Sequence, residues 1–217
     1  MHRTELENLI RHIADMTTLV YSRERQWGLE KMQLMPPANR KAINALLKER
    51  PYALPSSYVQ FLELHDGCLD FWAEFALLGT GGKPKEIVDA EIEDARGEQG
   101  DDVVDPQGNI TPKSIAKFEG LKNAFGENEY FLPAHTVFGA NEAGGFLFFN
   151  EKKPTRLGEY EVVDYSYDAR ARTRYADFPT FLLAIAGILE ARIRDKGYAS
   201  SSKPPISKTK GKAARPK

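Results

Sequence analysis

Residues 54–82 read LPSSYVQFLELHDGCLDFWAEFALLGTGG, and a change of period inside this stretch decides the fold class. Pro55 followed by Ser56 and Ser57 opens a helix, along which Tyr58, Phe61, Leu62 and His65 share one face. Gly67 is suited to end that helix, because glycine enters the left-handed conformation without a Cβ clash. From Leu69 the pattern alternates: Leu69, Phe71, Ala73, Phe75 and Leu77 against Asp70, Trp72, Glu74 and Ala76. A period of two predicts one half-buried strand, broken at Gly79-Thr80-Gly81-Gly82.

Upstream, Thr4 and Glu7 form a capping-box pattern, and Leu6, Leu9, Ile10, Ile13, Met16 and Val20 recur at helical spacing. Pro36-Pro37 blocks helical continuation, and a short helix over 38–48 would bury Ala42, Ile43, Leu46 and Leu47. Downstream, 86–105 reads as strand then helix, and 106–129 as loop with a short helix. Segments 130–140 and 146–150 predict a hairpin about Asn141-Glu142-Ala143-Gly144-Gly145, whose glycines supply positive φ. A strand follows at 160–165, and Arg170, Arg172 and Arg174 then alternate in an extended segment with one basic face. The last helix has Asp177 as N-cap, Pro179 in its first turn, and Phe178, Phe181, Leu182, Ile185, Ile188 and Leu189 as its apolar stripe, with Gly197 to end it. Helices, then a run of strands, then a closing helix predict an α+β fold. It is a single domain whose mainly antiparallel sheet is packed by N-terminal helices and a closing C-terminal helix. The expected organisation is an N-terminal helix at 1–26, the domain at 27–198 and a disordered basic tail at 199–217, where too few large apolar residues exist to offset the entropy of ordering.

A chain of 217 residues can bury a core without a covalent or metal staple. The one cysteine, Cys68, excludes an internal disulfide and a cysteine-based zinc cluster. No apolar run is long enough to span a membrane, and MHRTELENLI carries acids where a signal peptide needs an apolar stretch, so a cytoplasmic protein is expected. The net charge of −1 is a cancellation: the tail holds six basic residues and no acid, and the other 198 residues hold 24 basic against 31 acidic. Most of that acidity lies in 86–105 (EIVDAEIEDARGEQGDDVVD), with nine acids and one arginine.

Motifs for chemistry fail one by one. Gly79-Thr80-Gly81-Gly82-Lys83 has Leu77 where a phosphate-binding loop needs its first glycine, and Pro84 after the lysine, so it reads as a strand-end turn. Cys68 lies three residues after His65, but Asp66 and Asp70 oppose thiolate formation, so a half-buried structural thiol is expected. His2, His12, His65 and His135 lack metal-ligand spacing, and Asp101, Asp102 and Asp105 lack that of a calcium loop. Asn109-Ile110-Thr111 is a chance sequon in the absence of a secretory signal. Neither catalytic residues nor a metal or cofactor is assigned. The net-negative body disfavours nucleic acid, leaving only weak contact through the tail. The acidic segment is the surface feature above background: opposite charge on a basic protein would steer its association there.

The pattern Leu54, Pro55, Tyr58, Phe61, Leu62, Asp66 and Gly67 resembles the motif of the SUKH superfamily, the Smi/Knr-like proteins, although Cys68 stands where members usually carry a second glycine. Residues 132–150, with Gly144 and Gly145, are similar to the family's hairpin, 176–185 with Phe181 to its closing helix, and Trp27-Gly28-Leu29 to its early tryptophan motif. The resemblance spans about 27–195. It implies an α+β domain without catalytic activity: bacterial members typically neutralise toxins, often nucleases or deaminases, by binding them, and fungal members regulate cell-wall synthesis. The expected function is that of an immunity protein binding a cognate, basic toxin or other protein through Glu91, Glu93, Asp94, Asp101 and Asp102. The alternatives are a regulatory scaffold with several partners, and an enzyme whose site would gather His65, Cys68 or several carboxylates.

Overall fold

The computed structural model describes residues 1–24, 31–49, 54–102, 136–154, 158–166 and 171–198. Trp27, the 106–129 segment, the first residues of the 130–140 strand, Arg170 and the 199–217 tail lie outside them. In chain order the elements are α1 (Arg3–Glu24), β1 (Gln33–Leu34), α2 (Arg40–Glu49), α3 (Ser56–Leu64), β2 (Cys68–Phe71), a 3-10 turn (Trp72–Glu74), β3 (Phe75–Leu77) and α4 (Gly82–Asp102). β4 (Val137–Asn141), β5 (Gly145–Pro154), β6 (Tyr160–Ser166), β7 (Ala171–Tyr175) and α5 (Phe178–Asp195) follow. The seven strands form one sheet in sequence order, every neighbouring pair antiparallel. This is the expected α+β architecture, with α4 inserted between β3 and β4.

α1 begins one residue before Thr4, so the Thr4–Glu7 box does not form. Glu5 instead reaches back to the His2 amide (2.8 Å), and Glu7 pairs with Arg11 one turn on (2.5 Å). Leu6, Ile10, Ile13, Met16, Val20 and Tyr21 are buried, and α1 packs along α5. In α5 the Asp177 carboxylate accepts from the Thr180 amide (2.8 Å). Gly197 (φ +65°) ends the helix in a Schellman turn, with Gly197 N donating to Arg194 O (3.1 Å) and Tyr198 N to Ile193 O (2.9 Å). Ile188 is 42% exposed rather than part of the core stripe, because it sits roughly a quarter-turn from the stripe's centre.

The predicted single strand over 69–77 is in fact a hairpin, with Cys68 opposite Leu77 and Phe71 opposite Phe75. Alternation cannot reveal this fold, because a chain doubling back with Phe71 facing Phe75 keeps the same period of two. The turn also lacks the glycine or asparagine that usually marks one: Ala73 (φ 54°) and Glu74 (φ 65°) adopt the left-handed conformation themselves. Tertiary bonds hold them there. The Tyr21 hydroxyl donates to Phe71 O (2.8 Å) and accepts from Glu74 N (3.4 Å), while Asn141 Nδ2 donates to Ala73 O (2.9 Å). The 86–105 segment likewise departs from the strand-then-helix expectation: residues 82–102 are helical throughout.

α3 ends at Leu64 with an extended His65, so Gly67 is not its terminator. Gly67 (φ +87°) is required by close approach, since a Cβ there would lie 2.7 Å from Leu77 O and 2.9 Å from Gly79 N. In the β4–β5 hairpin the turn forms as expected: Gly144 has φ +72°, and the Gly145 amide donates to Asn141 Oδ1 (2.8 Å). Tyr58 is the centre of the core. Its ring lies 5.1–5.4 Å from those of Phe61, Phe138, Phe149 and Phe178, and its hydroxyl donates to Leu78 O (2.8 Å). α3 and α5 thereby lock onto one face of the central strands.

Candidate partner-binding surface

Pro84 occupies the first turn of α4, where its missing amide hydrogen has no helical partner to lose. One turn apart, Val88 and Ile92 are buried where the helix packs on β3 and β4. That anchoring turns Glu93 and Asp94 to solvent and leaves Glu91 half-buried. Asp101 and Asp102 lie in the last turn of α4, which contains no basic residue, so they add negative charge at the negative end of the helix dipole. At the opposite end Lys85 pairs with Asp89 (2.5 Å) and Glu49 (3.7 Å). Among the described residues, no ion pair engages Glu91, Glu93 or Asp94.

The tertiary structure adds acids that the sequence reading missed. Burial pushes the Glu91 carboxyl above its usual value, and the charges of Asp94 and Glu142 add to the effect. Burial does the same to Glu74, reinforced by Glu142 and Asp70. Asn141 Nδ2 donates to Ala73 O (2.9 Å), which sets exposed Glu142 of the β4–β5 turn beside the β2–β3 turn, and α4 packs on β3 and β4. Asp70, Glu74 and Glu142 are thereby brought toward Glu91 and Asp94 of α4. Glu74 Oε1 is buried and has no hydrogen-bond partner among the described residues. No signal in the sequence foretold this grouping, because it depends on two turns meeting a helix.

The other candidate residues have structural surroundings. Cys68 is fully buried in β2, rather than half-buried; its Sγ donates to Leu69 O (3.3 Å), and burial beside Asp70 pushes the thiol far up. His65 Nδ1 contacts Met35 O (3.2 Å), and desolvation holds the imidazole below its ordinary value. The two side chains do not hydrogen-bond to each other, and a thiol so raised is no nucleophile at neutral pH. The Gly79–Gly81 turn is gripped by Asp66, whose carboxylate accepts from Thr80 N (2.5 Å) and Thr80 Oγ1 (2.7 Å). Among the described residues no group of three His, Cys, Asp or Glu could hold a metal ion.

Leu54, Tyr58, Phe61, Leu62 and Phe181 are buried, and Pro55 O receives the amides of Tyr58 and Val59 (3.0 Å each). A further carboxylate escaped notice. Glu159, 6% exposed, accepts from Ser56 Oγ (2.5 Å), Ser57 N (2.9 Å) and Ser57 Oγ (2.5 Å), capping α3 from a distant loop.

A model of the SMI1 / KNR4 family (SUKH-1) matches residues 37–184, from the approach to α2 into α5. No curated protein matches the chain. Among the described residues, no helix is long and apolar enough to cross a membrane.

Proposed function

The chain belongs to the SMI1/KNR4 (SUKH-1) family, and on that premise we propose that it is a non-catalytic, cytoplasmic immunity protein that neutralises a nuclease-like toxin by direct binding. The observation carrying this reading is the convergence of Asp70, Glu74 and Glu142 with Glu91 and Asp94 of α4 at one end of the sheet. Carboxyls raised first by burial and then by one another's charge favour an arriving cationic surface, which stabilises their ionised form. A nuclease needs positive charge along its substrate channel, so it offers the complementary face, and such complementarity accelerates association. Exposed Glu93 adds to that charge, and Asp101 and Asp102, further along the α4 sequence, belong to the same proposed contact.

The test is affinity purification from the native cell, followed by kinetics with the captured protein. The reading expects a basic nuclease or deaminase whose activity disappears at stoichiometric addition. The variant Glu91→Lys/Glu93→Lys/Asp94→Lys should associate at least about tenfold more slowly at low salt and with a flatter salt dependence. A captured protein without toxic activity, or an unchanged association rate, would overturn it; the first result would favour a regulatory scaffold.

A further inference from the structure

Helix α5 carries apolar surface on the side turned away from the core. Leu183 is 54% and Ile188 42% exposed, and with Met1 they are the exposed large apolar residues among those described. The buried stripe of Phe178, Phe181, Leu182, Ile185 and Leu189 takes the opposite side of the helix. α1 takes the flank of Glu190, whose Oε1 lies 3.0 Å from His12 Nε2. Between Leu183 and Ile188 run Asp177, Thr180, Ala184, Gly187, Ala191 and Arg194, spaced alternately three and four residues apart. That alternation marks the seam of a helix that packs lengthwise on another helix. Gly187 is exposed, and a Cβ there would meet nothing within 4 Å outside its own helix. Nothing in the described fold calls for glycine, which weakens a helix interior, whereas close approach by a second backbone does.

We propose that this face of α5 is a self-association surface, on which a second copy of the chain lays its own α5 antiparallel. The choice of a second copy rests on charge self-complementarity. In a two-fold pair turned about the midpoint between Ile185 and Ala186, Asp177 falls opposite Arg194 of the second copy, Thr180 opposite Ala191, and Ala184 opposite Gly187. Each end of the seam thus sets an acid against a base, and small side chains at its middle let the axes approach to about 8 Å. A parallel pair would instead set Asp177 against Asp177 and Arg194 against Arg194. Both charges are available: Asp177 caps its helix through Oδ1, and Arg194 makes a 3.5 Å contact with Asp195 in which both side chains are exposed. Leu183 and Ile188 flank the seam on its two sides, each beside its own counterpart across the two-fold, and shield it from water. An 18-residue helix is about 27 Å long, and one such contact belongs among weak interfaces of under about 1,200 Å², so dissociation in the micromolar range follows. No residue of the acidic turns or of α4 takes part, so this inference does not depend on the partner-binding reading.

Sedimentation equilibrium of the full-length chain should show a monomer–dimer equilibrium between about 10 and 500 μM. Gly187→Gln enters open space in its own fold and favours the helix, so the variant folds. It should weaken dimerisation at least about tenfold, while its thermal midpoint at about 2 μM, where the wild type is monomeric, is raised rather than lowered. Disulfide trapping reads the orientation, because Cys68 is fully buried and does not compete. Thr180→Cys and Ala191→Cys chains, mixed in equal amounts and oxidised gently, should give mainly the mixed dimer. In the antiparallel register these two positions face each other, whereas like positions stand eleven residues apart along the axis, about 16 Å, beyond the roughly 7 Å that a disulfide bridges. A chain that stays monomeric to about 500 μM would overturn the proposal and leave the face to a different protein. A dimer that Gly187→Gln leaves intact would overturn it too, as would no more mixed disulfide than the half that random pairing gives.

Discussion

The Glu159 carboxylate closes the N-terminal end of α3 by accepting from both the amide and the hydroxyl of Ser57, at 2.9 and 2.5 Å. The helix has Pro55 at its N-cap, which has no side-chain oxygen to offer, so the orphan donor is satisfied across 102 residues of sequence. The carboxylate is buried with no cation beside it among the described residues; the α3 dipole and the three donors offset its desolvation.

Glu159→Ala is therefore expected to lower folding stability by about 2–4 kcal/mol, because two hydroxyls and an amide lose their acceptor in a dry site. Urea denaturation measures the loss. A double-mutant cycle with Ser57→Ala should return a coupling of about 1–2 kcal/mol, whereas additive losses would show that the pair is not linked.

Tyr58→Phe keeps the ring stacking and removes only the hydroxyl that donates to Leu78 O. The expected cost is about 1–2 kcal/mol, against about 3–5 kcal/mol for Tyr58→Ala, which also empties the centre of the aromatic cluster. Similar losses in thermal or chemical denaturation would mean that the hydroxyl, rather than the packing, dominates at this site.

His65 makes stability depend on pH with a definite sign. Burial lowers its folded value below the ordinary 6.5, so between the two values the unfolded chain binds more protons than the folded one. Its contribution is complete above about pH 6.5 and is lost as pH falls toward the folded value. Glu7 and Arg11 of α1 act on the ring in opposite directions and do not reverse the sign. In parallel denaturations from pH 8 to 5.5, the wild type should lose stability relative to His65→Gln; parallel curves would refute the assignment.

The acidic end behaves oppositely. Glu74 and Glu91 have raised folded values, so the folded state retains protons longer, and their contribution to stability declines as pH rises out of the ordinary carboxylate range. Glu142→Gln removes a charge that acts on both. Carboxyl titrations by NMR should then show Glu74 and Glu91 moving down together, with burial leaving part of each shift in place. Movement of only one would separate the two groups in space.

The helices were legible because their signals are local. Asp177 three residues before the amide it caps and Gly197 at the end of α5 both act within one helical turn. The Asn141–Gly145 turn was legible for the same reason. The β2–β3 hairpin was not, because Ala73 and Glu74 are left-handed only under bonds from Tyr21 and Asn141, and residue type alone argued for a continuous strand.

The sequence by itself determined the architecture, the family motif, and the existence of an acidic segment and a basic one, since periodicity, capping and charge count are properties of neighbours along the chain. Only the tertiary structure decided that Glu159 caps α3 and that Glu142 of the β4–β5 turn acts on both Glu74 of the β2–β3 turn and Glu91 of α4. Those are relationships between residues far apart in sequence. Burial and electrostatics act through space, and the fold alone sets the distances over which they act.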